Sequence, residues 1–321
     1  MILGGLMNYS IPVVDLNDYL SGDADRQQAF VRGVGSALQE IGFFALTNHS
    51  VSADLIRESY SETQKLFALP TTEKLKYEVP GLKGQRGYTS FGKEHAKGSK
   101  APDLKEFWHV GQELEAPHKL AGLYPKNVWP TELDHFEKTT REVFQKLEFA
   151  ALKILEACGL YLGEDKSRIR DTAVDGNSIL RLIHYPPISP DKDPNSIRAG
   201  AHEDINLITL LIDATSSGLE LMDRNGKWIP VVTPKGCIIV DAGDMLQNLT
   251  NGFFKSTTHR VVNPDNSREA RYSMPFFMHA RGEVPLNPLP SCIEATGGKQ
   301  TYPDITADAY LMKRLKEIGL A

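Results

Sequence analysis

From Ser178 onward the chain breaks into short apolar runs divided by turn chemistry: SILRLIHYP, INLITLLI, GLELMD, RNGKWIPVV, GCIIVDAGDML, HRVVNP and RYSMPFFMHA. Each run is too short for a helix that buries a face, and a spacing of roughly ten residues is that of a sheet protein. Strands of this kind need a second layer to cover them, so the pattern predicts a sandwich or a double-sheet jelly roll. Within Arg224-Asn-Gly-Lys227, the pair Asn225-Gly226 favours positive φ and marks a hairpin.

Upstream the pattern is mixed. Ile11 to Leu16 reads as a short strand, and Ala24 to Ile41 as a helix with Phe30, Val31, Val34, Leu38 and Ile41 at helical spacing. Residues 42–49 read as a strand, and Ser52 as the cap of a helix that ends at Ala68, before Pro70. Thr131 to Cys158 carries one apolar stripe through Val143, Leu147, Ala151 and Ile154, with Gly159 suited to end it. A last helix over Ala307 to Ile318 caps the body or offers a contact surface. The expected class is α+β, mainly β: a double-stranded β-helix (jelly-roll) core with a helical N-terminal region and a long scaffold helix. The expected regions are 1–115 (α/β), 116–175 (scaffold helix), 176–285 (jelly-roll core) and 286–321 (C-terminal helical extension).

The 36 Lys and Arg against 41 Asp and Glu leave a net charge of −5, which does not suggest nucleic acid or an anionic membrane as a default partner. Cys158, Cys237 and Cys292 are far apart with no CxxC, against a disulfide framework or a thiolate zinc site. With no secretory leader pattern and no apolar stretch of membrane-spanning length, the expectation is a cytoplasmic protein that works as a monomer or weak dimer. The Gly-rich stretch from Lys74 to Lys100 is locally basic, with seven Lys and Arg against Glu78 and Glu94. It reads either as a solvated surface loop or as a lid facing an anionic ligand.

Chemistry concentrates in GAHEDINLITLL. His202 and Asp204 are two apart, so on a strand they share a face while Glu203 points away. A lone His-x-Asp is a weak signal, equally compatible with a metal half-site or an ordinary hydrogen bond. His259, 55 residues beyond Asp204, opens a later strand and adds a second imidazole. Two histidines and one carboxylate on one face form the triad suited to non-haem Fe(II) and oxygen. Arg271-Tyr-Ser273 repeats the two-residue spacing, so a guanidinium and a hydroxyl share a face as a clamp for a buried carboxylate.

These residues stand among others in a telling order: Ile11-Pro-Val-Val-Asp-Leu16, residues 42–49 ending Asn48-His49, Asp103-Leu-Lys-Glu106, His184-Tyr-Pro186, His202-x-Asp204 with Leu207 and Thr209, Gly243-Asp244, His259-Arg260 and Arg271-x-Ser273. Over about residues 11 to 280 the chain resembles the isopenicillin N synthase-like branch of the Fe(II)/2-oxoglutarate oxygenases. The resemblance implies Fe(II) held by His202, Asp204 and His259. It implies 2-oxoglutarate held by Arg271 and Ser273, with Tyr185 as a further donor, O2 as cosubstrate and ascorbate as reductant. The implied reaction is hydroxylation, desaturation or cyclisation of a small molecule, with release of succinate and CO2. Relatives carry Thr where Glu203 stands and Gly where Ser50 stands. Because some relatives use the Arg-x-Ser pair without 2-oxoglutarate, an Fe(II) oxidase of the isopenicillin N synthase or aminocyclopropane carboxylate oxidase type is the second expectation. A jelly-roll binding or sensor module is the third.

For the prime substrate, Phe277 resembles a substrate-facing aromatic of the flavonoid oxygenases, and Asn206, Tyr88, Phe91 and Lys93 are further pocket candidates. The basic stretch adds the expectation of an anionic substrate. His49 reads as a satisfied turn histidine, and His184, beside Tyr185, as a core residue more than a pocket one. His135 and Glu137, two apart on a helix, do not form a ligand pair, and His95 and His109 carry no assignment.

Overall fold

The computed structural model describes residues 10–82, 84–93, 104–187, 198–212, 218–262 and 269–317. The first half contains β1 (Val13–Asp15), α1 (Leu16–Leu20), α2 (Ala24–Glu40), β2 (Phe43–Thr47), α3 (Ala53–Ala68), α4 (Thr71–Lys74), β3 (Gly87–Thr89), β4 (Glu106–Gly111), α5 (Phe136–Tyr161) and α6 (Ser167–Ala173). There follow β5 (Ile179–Tyr185), β6 (Ala199–His202), β7 (Ile208–Ile212), β8 (Leu219–Met222), β9 (Trp228–Pro230), β10 (Ile238–Ala242), α7 (Asp244–Leu249), β11 (His259–Val261), β12 (Arg271–Met278), α8 (Pro290–Ala295) and α9 (Ala307–Glu317).

The strands form an eight-stranded sheet, in the order β1-β2-β10-β7-β12-β5-β4-β3, and a four-stranded sheet, β6-β11-β8-β9. Alternation assigns their faces. Ile208, Leu210 and Ile212 of β7, and Met274, Phe276 and Met278 of β12, join the core under the helices. Phe43, Ala45 and Ile239 of the large sheet meet Ala199, Leu219, Leu221 and Val261 of the small one in a second core between the sheets. This is the jelly roll expected from the short runs. Its large sheet takes strands from both the 1–115 and 176–285 regions, so the two share one hydrogen-bonded scaffold. No helix among the described residues is long and apolar enough to cross a membrane.

Helix starts follow the caps. Asp23 accepts from the amides of Asp25 and Arg26, and Ser52 from that of Leu55, while α3 stops at Ala68 as Pro70 requires. The scaffold helix departs from expectation at both ends, spanning Phe136–Tyr161 rather than Thr131–Cys158. Residues 131–135 form turns, and His135 becomes the N-cap. Gly159 does not end the helix; a Cβ there would lie 2.8 Å from the Asp165 carbonyl, so glycine lets the returning chain cross. Gly163, at φ 74°, takes the left-handed position just after the helix. In the β8–β9 hairpin only Gly226 takes positive φ, and Asp223 Oδ1 accepts from the Asn225 and Lys227 amides to close the turn.

Candidate functional site

His202 ends β6 and His259 opens β11, and the two are direct partners in the antiparallel register, which sets the imidazole centroids 4.4 Å apart. Asp204 Oδ1 lies 3.6 Å from His202 Nε2 and 3.8 Å from His259 Nε2. Ligand atoms of all three fall within 4.8 Å of one another, the one such group among the described residues. Each Nδ1 faces the carbonyl two residues before it in the chain, at 2.7 Å to Gly200 O and 3.1 Å to Thr257 O. A carbonyl only accepts, so each Nδ1 carries the hydrogen and each Nε2 offers its lone pair to the centre. Burial, with His202 beside it, lowers the pKa of His259 and keeps that imidazole neutral, as a metal ligand must be. Two imidazoles and a carboxylate fit a divalent first-row metal such as Fe(II).

The carboxylate is held from behind. The Thr209 hydroxyl donates to Asp204 Oδ2, leaving Oδ1 toward the histidines. Asn206 Nδ2 donates to Thr209 Oγ1 at 3.1 Å and to Ile208 O at 2.8 Å, so this pocket candidate supports the threonine behind Asp204. Glu203 points away, as expected, and accepts the Thr258 hydroxyl, fastening the strand of His202 to that of His259. Asp241, the register partner of Thr209, is buried; desolvation and then the Asp204 charge push its carboxyl well above the usual range.

On the inner face of β12, Arg271 and Ser273 are both buried, and Tyr185 stands directly opposite Arg271. The Arg271 guanidinium lies over the Tyr185 ring, 5.1 Å from its centroid. Arg198, also buried, donates to Glu269 O at 3.0 Å, and burial followed by the nearby Arg271 charge lowers its pKa. Sequence reading passed over Arg198 because it precedes β6 with no motif spacing. Two neighbouring guanidiniums in buried surroundings are a setting for a carboxylate.

Beyond the clamp, Phe277 shares the inner face. The Arg181 guanidinium lies 4.3 Å from the Phe107 centroid and 5.3 Å from that of Phe277. Arg181 Nε donates to His109 Nε2 at 2.6 Å, and His109 Nδ1 donates to Gly84 O at 2.6 Å, which fixes the tautomer. No motif or spacing in the sequence marks Phe107, Arg181 or His109 as neighbours. His279 follows Phe277 on the same face; burial depresses its pKa to about 4, and its buried Nδ1 has no partner among the described residues.

Other expected pocket residues lie elsewhere. Tyr88 pairs with Trp108 on the helix side of the sheet, and its hydroxyl donates to Glu106. Phe91 is 45% exposed and stands edge-on to His184 at 6.4 Å. His184 points opposite to Tyr185, bonds Glu106 Oε1 at 2.7 Å and stacks on Tyr272 at 5.0 Å. His49 bonds Gly236 O at 2.9 Å and accepts from the Val51 amide, a satisfied turn residue. The lid expectation also changes. Lys74 is buried against Glu106 at 2.8 Å, Arg86 is buried beneath Gly111, Lys76 pairs with Glu73, and Lys93 pairs with Glu78 at 3.2 Å. Those four cations serve local structure, and 83, 97 and 100, with His95 at 95, lie outside the described residues.

Comparison with known proteins agrees with this geometry. Residues 11–132 match the family described as non-haem dioxygenase in morphine synthesis N-terminal, and residues 176–280 match the 2OG-Fe(II) oxygenase superfamily. A homoarginine-6-hydroxylase of Oryza sativa subsp. japonica is 30% identical over 95% of this chain and 96% of its own. A 2OG-Fe(II) oxygenase family protein of Caulobacter crescentus superposes with TM-score 0.85 at 39% identity, covering 97% of this chain and 99% of that one. A Neurospora crassa protein solved with alpha-KG and thymine superposes with TM-score 0.84 at 28% identity, covering 95% and 96%. Likeness over nearly the whole length favours the 2-oxoglutarate-dependent reading over the oxidase and binding-module alternatives. The chain belongs to the Fe(II)- and 2-oxoglutarate-dependent oxygenases and is a dioxygenase of small molecules.

Proposed function

We propose that His202, Asp204 and His259 hold the Fe(II), and that Arg271 and Ser273 receive the distal carboxylate of 2-oxoglutarate. The observation that carries this reading is the convergence of two Nε2 lone pairs and Asp204 Oδ1, with each Nδ1 spent on a carbonyl. When bound, iron, 2-oxoglutarate and O2 supply the oxidising power for attack on a substrate C–H bond, with release of succinate and CO2. Arg271 neutralises the cosubstrate's far carboxylate, and Tyr185 supports the guanidinium through its ring. Phe43, edge-on to His259 at 5.4 Å, keeps water from one side of that ligand.

The prime substrate is a small polar molecule that meets the wall of Phe107, Arg181, Phe277 and His279. The homoarginine and thymine named for relatives are of that size and polarity. An anionic group on the substrate would meet Arg181. The net charge of −5 supports a small-molecule partner over nucleic acid.

The test is a screen of small polar acids, amino acids and nucleobases for stimulated succinate and CO2 release from labelled 2-oxoglutarate. With a responding compound, Arg271→Ala raises the KM for 2-oxoglutarate, whereas Arg181→Ala raises the KM for the compound and leaves that for 2-oxoglutarate unchanged. An anaerobic Fe(II) protein that binds no 2-oxoglutarate would sink the reading.

A further inference from the structure

The iron carboxylate is tied to the far end of the chain. Carbonyls of the loop that carries Asp204 are held by the start of α7: Asp244 N donates to Asp204 O at 2.7 Å, Gly243 N to Leu207 O at 2.9 Å and Met245 N to Asn206 O at 3.1 Å. Gly243 has no room for a side chain there, since a Cβ would lie 2.2 Å from Asn206 O. The helix that fixes the loop is in turn gripped from residues 286–317. Asn248 Nδ2 donates to Leu286 O at 2.7 Å and Pro303 O at 3.1 Å. Asn251 donates to Thr296 Oγ1 at 2.6 Å and Lys299 O at 2.9 Å, and accepts from Thr301 N at 2.8 Å. Arg314 of α9 completes the grip, with Nη2 3.1 Å from Asp244 Oδ2 and Nη1 3.0 Å from Glu317 Oε2.

Asp244 therefore has two jobs. Its amide holds the Asp204 carbonyl, and its carboxylate holds α9 through Arg314. The Arg314 and Asp244 side chains are only 14% and 8% exposed, so theirs is not a solvent-screened surface pair. Without Arg314, Asp244 would remain a buried carboxylate beside two others, Glu203 and Asp204. Protonation can remove the charge of Asp244 but does not restore its anchor to α9, so the start of α7 is freed to move and carries Asp204 with it.

We infer that the C-terminal helix is a working part of the iron site and that Arg314 is a positioning residue for Asp204, acting through Asp244. The inference rests on the reading of His202, Asp204 and His259 as the iron ligands. Outer groups that orient a ligand typically change metal affinity by about 10–100-fold, and Arg314, one step further out, belongs at the low end.

The experiment is an anaerobic Fe(II) titration of the full chain with saturating 2-oxoglutarate, read by the charge-transfer absorption of the Fe(II)–2-oxoglutarate pair, with circular dichroism confirming the fold. Arg314→Ala should weaken Fe(II) binding by about tenfold and shift the absorption band, whereas Arg314→Lys recovers most of both. Lys313→Ala, on the exposed side of α9, should match wild type. A folded Arg314→Ala protein with wild-type affinity and an unshifted band overturns the inference. Should that variant not fold, Arg314→Gln replaces it: weakening relative to Arg314→Lys supports the inference, and equality overturns it. Wild-type protein that binds no Fe(II) overturns the underlying ligand reading, and the inference with it.

Discussion

Thr209→Val tests how much the proposed iron site owes to a single hydroxyl. Valine keeps the shape of threonine and removes the donor to Asp204 Oδ2. The hydroxyl has one proton and a second acceptor, Asn206 Oδ1 at 3.4 Å; the shorter contact and the carboxylate charge direct it to Asp204. A hydrogen bond to a buried charge contributes about 1.5–3 kcal/mol. At about 1.4 kcal/mol per tenfold, its loss corresponds to about 10–100-fold in Fe(II) affinity, because Asp204 then loses a donor to its charge and its fixed rotation. Thr209→Ser retains the donor and should stay near wild type. The assay is anaerobic Fe(II) titration of both variants and wild type at pH 7 in one buffer. A folded Thr209→Val protein that binds Fe(II) as tightly as Thr209→Ser would refute the reasoning, since it would mean that Oδ2 needs no donor.

Other perturbations test the frame. Lys74→Ala leaves Glu106 buried without its cation, and breaking a buried pair of this kind costs about 3–5 kcal/mol, read as a lower denaturant midpoint; an unchanged midpoint would show that His184 and Tyr88 suffice. Gly243→Ala drives a Cβ into the Asn206 carbonyl and should cost both stability and Fe(II) affinity, measured by melting and by titration. For pH, His279 is protonated near 6.5 when unfolded but only near 4 when folded, so between those values the unfolded chain binds the extra proton. Stability is therefore full above about pH 6.5 and falls by up to about 3 kcal/mol as pH drops to 4. The Tm of His279→Asn apoprotein should fall less steeply over that window than wild type; parallel slopes would contradict the assignment.

What the sequence reveals depends on how local the cause is. Arg271-x-Ser273 is legible because period-two alternation fixes both faces within β12. His202-x-Asp204 is legible as a spacing only, since β6 ends at His202 and a loop carries Glu203 and Asp204, so the nearness of Asp204 to both histidines depends on how that loop is held. Tyr88 is not legible: its strand has three residues, and only the register with β4, which sets it against Trp108, decides its face. Phe107, Arg181 and His109 come from paired strands some 70 residues apart in sequence, so no window contains them together. Lys74 and Arg86 count as basic in any charge sum, yet burial removes both from the surface that the sum describes. Asp244 and Arg314 are separated by a similar distance in sequence, and their contact depends on how α9 returns to α7.

The central claim is that these three side chains make the iron site, and calorimetric titration of the anaerobic apoprotein with Fe(II) in the presence of 2-oxoglutarate tests it most directly. The expected result is one equivalent bound per chain in wild type and none at the same concentrations in His202→Ala, Asp204→Ala or His259→Ala, each shown to be folded. Retention of a full equivalent at wild-type affinity by the Asp204→Ala protein would contradict the account.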